Sequence, residues 1–109
     1  MDKVDPNKAV EFIIANAKKY AIAKADRAYI EQFRKSKKAL LMNESTAKTS
    51  VEREQYAYSH NDYAELLKGL REAIAIEERL KWELEAARIR TEIWRTQSAN
   101  ERGQDKALR

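Results

Sequence analysis

The chain of 109 residues has no cysteine, one histidine, one proline and two glycines. Without cysteine there is no disulfide, no thiolate ligand for a metal and no thiol nucleophile. So little proline and glycine excludes a β-rich fold, whose many tight turns draw on both. Long apolar runs are missing too. The most apolar window, Val10 to Ala25, is broken by Glu11, Asn16, Lys18, Lys19 and Lys24, and nothing approaches the roughly 20 apolar residues that cross a bilayer. The stretch Met1 to Pro6 is polar and carries no apolar run of the signal-peptide kind. The expected location is the cytoplasm, away from membranes.

What is present is charge and helix-forming residues. Charged residues make up 37% of the chain and apolar ones 43%, with a net charge of +4. That balance supports a thin but real core and differs from a disordered chain, which is poorer in apolar residues. Ala, Glu, Lys, Leu and Arg dominate, and all favour helix. The expectation is a single all-α domain over residues 1–109. A first helix runs from about residue 6 to 42, opened by Asp5 as cap and Pro6 at the first helical position. A short helix spans about 51–58. It follows the turn-rich stretch 43–50 and is introduced by Thr49-Ser50-Val51-Glu52, which matches a capping box. A third helix covers about 62–99 after the break at Ser59-His60-Asn61-Asp62, and residues 100–109 are expected to fray.

The third helix carries the clearest pattern. Tyr63, Leu66, Leu70, Ala73, Glu77, Leu80, Leu84, Ala87, Thr91 and Trp94 alternate spacings of three and four, the repeat of a coiled-coil-like seam. Gly69 lies inside this run, and close helix contact would explain a residue that otherwise costs helix stability. The first helix is apolar on two faces. One holds Val10, Ile14 and the small row Ala17, Ala21, Ala25 and Ala28, with Ile22, Tyr29, Phe33 and Leu40 beside it. The other holds Phe12, Ile13, Tyr20, Ala23, Ile30 and Leu41. A two-helix hairpin needs one stripe per helix. The reading is therefore a long antiparallel hairpin with a short connecting helix, assembled with a second copy into a dimeric bundle.

Candidate chemistry is sparse. The basic run Arg34, Lys35, Lys37 and Lys38, with Lys24 and Arg27 upstream, is a candidate phosphate-contacting surface, with Tyr29 and Phe33 placed to stack on bases. The competing reading, which carries more weight, is a solvated face near a helix C-terminus, where cations meet the negative end of the dipole. Glu72, Glu77, Glu78, Glu83 and Glu85 line the third helix, but no Glu-x-x-His pair accompanies them, so neither metal nor cofactor is expected. Glu77, on the apolar seam, is expected either to pair with an inward base such as Lys24 or Arg27 and set helix register or to lie at the edge of the seam and reach water. His60 reads as a turn or cap residue, and Trp94 as a seam anchor. Trp82, off the seam, reads as the mark of a partner surface. No nucleophile motif, phosphate loop, zinc spacing or helix-turn-helix pattern is present, and enzymatic activity is not expected.

Two segments, Tyr29 to Met42 (YIEQFRKSKKALLM) and Arg88 to Gln97 (RIRTEIWRTQ), resemble small phage and prophage proteins of unassigned function. The resemblance covers about Val10 to Arg102. It implies a bacteriophage origin, the cytoplasm of a bacterial host, and genes lying near those of phage recombination or replication. It supplies no functional residues. The expected function is a helical accessory protein that binds a phage or host protein, with nucleic-acid binding through the basic cluster as the alternative.

Overall fold

The structure is a computed structural model and describes residues 3–108. It is all-α, 92% helical and, among the described residues, without strands. Three helices follow in order: α1 (Pro6–Glu44), α2 (Ser50–Ser59) and α3 (Asn61–Leu108). The starts follow from local chemistry. The Asp5 carboxylate accepts the amides of Asn7 at 2.9 Å and Lys8 at 3.4 Å, which cap α1. Thr49 Oγ1 accepts the Glu52 amide at 3.2 Å and caps α2. Only this half of the capping box forms, since Glu52 does not reach back. At His60 an extended backbone stops α2. The His60 carbonyl then takes the amides of Tyr63 and Ala64, and its Nδ1 takes that of Asp62, so the same residue opens α3. The cap reading of His60 holds.

Two sequence expectations need correction here. The tail does not fray at Asn100: α3 continues to Leu108. Helix formers dominate after Asn100, Glu101 pairs with Lys3, and the single Gly103 costs only about 1 kcal/mol. Residue 109 lies outside the described residues. Gly69 is not explained by close contact within the chain, because a Cβ there would meet nothing within 4 Å. Contacts group the chain into two compact units. One comprises the chain to Ala21 together with the part from Arg79 on; the other is Ile22–Glu78.

In the Ile22–Glu78 unit, α1 and α3 run antiparallel, since Arg27 pairs with Glu77 and the later Lys37 with the earlier Asp62. The inward side of α1 is Ala23, Arg27, Ile30, Arg34, Lys37 and Leu41, again spaced by four and three. Leu41, Ala57 and Tyr63 form the core where the three helices meet, with Met42 packed against it. Tyr58 meets Tyr63 edge to face at 5.3 Å. Arg53 Nε donates to the Ala47 carbonyl at 2.8 Å, which holds the connection onto α2.

In the other unit the helices are also antiparallel. The Val4 amide donates to Gln97 Oε1 at 3.2 Å, and Ala9, Leu80 and Ala87 are buried. The α3 seam holds through this unit as far as Thr91. Trp94, expected on it, is 41% exposed. An α-helix drifts against a strict seven-residue repeat, and the chain beside this end of α3 is the non-helical segment before Pro6, so the inward positions pass to Ile93 and Gln97.

Candidate functional site

The basic cluster lies in the Ile22–Glu78 unit, and folding divides it. Arg27 is bound to two carboxylates. Its Nε and Nη2 donate to Glu77 at 2.6 and 3.0 Å, and its Nη1 donates to Glu31 at 2.7 Å. The bidentate contact with Glu77, and then Glu31, raise the Arg27 pKa further above its already high ordinary value. Glu77 is only 8% exposed, so a buried carboxylate on the apolar seam gets the forked cation it needs. The expected register role for Glu77 therefore finds its partner in Arg27, not in Lys24.

Lys37 lies 3.5 Å from Asp62, at the start of α3. Lys38 lies 3.4 Å from Glu54 and stands over the Tyr58 ring at 4.7 Å. Its pKa is raised, first by Tyr58 and then by Glu54, with burial opposing. Both lysines thus tie α1 to its neighbours. The side chains of Lys24, Arg34 and Lys35 make no hydrogen bond or ion pair among the described residues, and Arg34 is half-buried. Of six candidate phosphate contacts, three are engaged within the chain. Sequence reasoning missed this because the partners Glu54, Asp62 and Glu77 lie far along the chain, beyond helical spacing.

The uncovered apolar surface is the larger feature. The small row of α1 belongs to no intrachain core: Ala17, Ala21 and Ala25 are exposed and Ala28 is half-buried. The chain uses the other α1 face for its own packing. In the Ile22–Glu78 unit, α1 leaves Ile22, Tyr29, Phe33 and Leu40 exposed, and the rings of Tyr29 and Phe33 stack nearly parallel at 6.1 Å. On α3, Trp82 is 61% exposed with Lys81 over its ring at 5.4 Å.

The unit that holds both chain ends contains an open cleft of about 560 Å³, floored by Ala9, Phe12 and Ile93 and rimmed by Asp5, Lys8 and Arg90. Its one carboxylate is spent on capping α1. Among the described residues, no group of three or more His, Asp or Glu side chains is placed to hold a metal ion, and no helix is long and apolar enough to cross a membrane.

No protein-family model, curated protein or solved structure matches this chain.

Proposed function

We propose that this chain is a non-enzymatic helical accessory protein that works by binding another protein chain through apolar side chains its own fold leaves uncovered. The observation that carries the reading is the exposed, stacked Tyr29–Phe33 pair with Ile22 and Leu40 on the same helix. Aromatic side chains clustered on a surface mark binding sites far more often than isolated apolar residues do. The resemblance to small phage proteins supports a bacterial host cytoplasm as the setting and phage recombination or replication as the process served.

Nucleic-acid binding is the second reading, and Lys24, Arg34 and Lys35 are what favour it. It ranks lower because Arg27, Lys37 and Lys38 already have carboxylate partners, and phosphate contacts would have to compete with those pairs.

The test is a photo-reactive residue placed at Tyr29, with one at the exposed Ser59 as control, in bacterial cells making the protein. A discrete crosslinked protein species from Tyr29 alone is expected. Equal, diffuse products from both positions would overturn the reading. Labelled single- and double-stranded DNA titrated across a salt series decides the alternative. Salt-sensitive binding that disappears in a Lys24→Gln, Arg34→Gln, Lys35→Gln variant would install it.

A further inference from the structure

The cleft in the unit that holds both chain ends is built alike from its two walls. On α1, Lys8 stands one turn before Phe12; on α3, Arg90 stands one turn before Ile93. Residues three or four apart share a helix face. Each helix thus presents one cation beside one large apolar side chain, with the buried Ala9 in the floor. Small-molecule sites have this composition: a mostly apolar lining, a few polar groups and a volume of about 300–1,000 Å³. The cleft, at about 560 Å³, falls within that range.

Charge indicates the polar end of an occupant. Two cations line the cleft against one carboxylate, that of Asp5. Asp5 Oδ1 already accepts the amides of Asn7 and Lys8, and the Asp5 carbonyl takes that of Ala9. The first amides of α1 are therefore used within the chain, and the helix end itself offers nothing to a ligand. Neither the Lys8 ammonium nor the Arg90 guanidinium has a hydrogen-bond or ion-pair partner among the described residues. For Arg90 the sequence gives the reason. The positions three and four away on either side are Ala86, Ala87, Ile93 and Trp94, so its own helix supplies no carboxylate. Arg88, two positions earlier, takes both Glu85 and Glu92.

Register brings the two cations within reach of one group. Val4 bonds Gln97 and Lys3 pairs with Glu101. That places Arg90 about one to two helical turns from Lys8 along the axis, roughly 5–9 Å. Long lysine and arginine stems span such a gap while lying along apolar surface. The guanidinium fork, in addition, matches a carboxylate at two points.

We infer that this cleft binds a small amphiphilic acid, its carboxylate held between Lys8 and Arg90 and its apolar body, an alkyl chain or a fused ring, lying over Ala9, Phe12 and Ile93. The inference goes beyond the protein-binding reading and is independent of it, because the Tyr29 face belongs to the other unit.

The experiment is a titration of the full chain at neutral pH, read from its backbone amide signals by nuclear magnetic resonance. The probes are octanoate and naphthoate, with octanol and naphthol as their uncharged counterparts. Saturable shifts at Ala9, Phe12 and Ile93 are expected, with a dissociation constant in the millimolar range or tighter. The alcohols are expected to bind about tenfold more weakly, seen as smaller shifts at equal concentration. The acid that binds more tightly identifies the apolar body. The double variant Lys8→Gln, Arg90→Gln changes two exposed side chains and should keep its helix content. It is expected to lose about tenfold in affinity for the acid and nothing for the alcohol. The inference is overturned if neither acid gives saturable shifts at the cleft through the millimolar range, or if the shifts fall only on Tyr29 to Leu40. Equal binding of acid and alcohol, which needs no variant to observe, also overturns it, as does a double variant that binds the acid like the wild type. If the acids fail and Tyr29 still crosslinks to a discrete protein, the protein-binding reading stands and this inference alone fails.

Discussion

Gly69 is the residue whose environment differs most from its sequence context. It sits in the interior of α3, half-buried, and no atom outside its own helix backbone comes near where a Cβ would lie. A helix-interior glycine costs about 0.5–1 kcal/mol relative to alanine, and this fold recovers none of it through close packing. Gly69→Ala is therefore expected to stabilise the chain by about 0.5–1 kcal/mol in urea unfolding followed by circular dichroism. A loss of stability would mean that a second chain packs against Gly69. The sequence showed the anomaly but not its cause, because helical spacing places a residue on a face without saying how near the facing element comes. The same limit applied to Trp94, assigned to the seam by its spacing and found 41% exposed.

Among the elements, the Arg27–Glu77 pair joins α1 to the largely apolar seam of α3. Removing one partner of such a pair leaves the other charge buried and uncompensated, whereas replacing both with apolar groups is often neutral or stabilising. Arg27→Met is thus expected to lower the urea midpoint clearly, and adding Glu77→Met should recover most of the loss. A double variant weaker than the single one would show that the pair stabilises the fold beyond an apolar contact and would reverse this account. Glu77 stood out in the sequence because it interrupts an apolar repeat, but a register pair and a place at the water-facing edge of the seam were both open. Its partner was narrowed only to Lys24 or Arg27, since the choice depends on the register of two helices fifty positions apart in sequence. The capping of all three helices was legible because caps act within a few residues.

At the scale of the whole molecule, α1 leaves Ile22, Tyr29, Phe33 and Leu40 exposed, and if a second copy of the chain covers them, folding and association are linked. If two chains unfold together, the thermal midpoint rises with protein concentration. With an unfolding enthalpy of about 0.7 kcal/mol per residue, the expected rise is roughly 3 °C for each tenfold concentration. Circular dichroism melts over two decades of concentration check this, and a midpoint independent of concentration would contradict the two-chain form.

The sequence by itself determined the all-α class, three helices with their start points, and the inward seam of α3 as far as Thr91. Each of these depends on propensity, capping or a periodic pattern, which act over one or two helical turns. It also showed that α1 is apolar on two sides. Only the tertiary structure decided which of those sides the chain covers for itself. It also decided that Arg27, Lys37 and Lys38 bind carboxylates of α2 and α3 while Lys24, Arg34 and Lys35 do not. Those outcomes depend on which surfaces two distant helices bring together, and burial and charge pairing act across space without regard to separation along the chain.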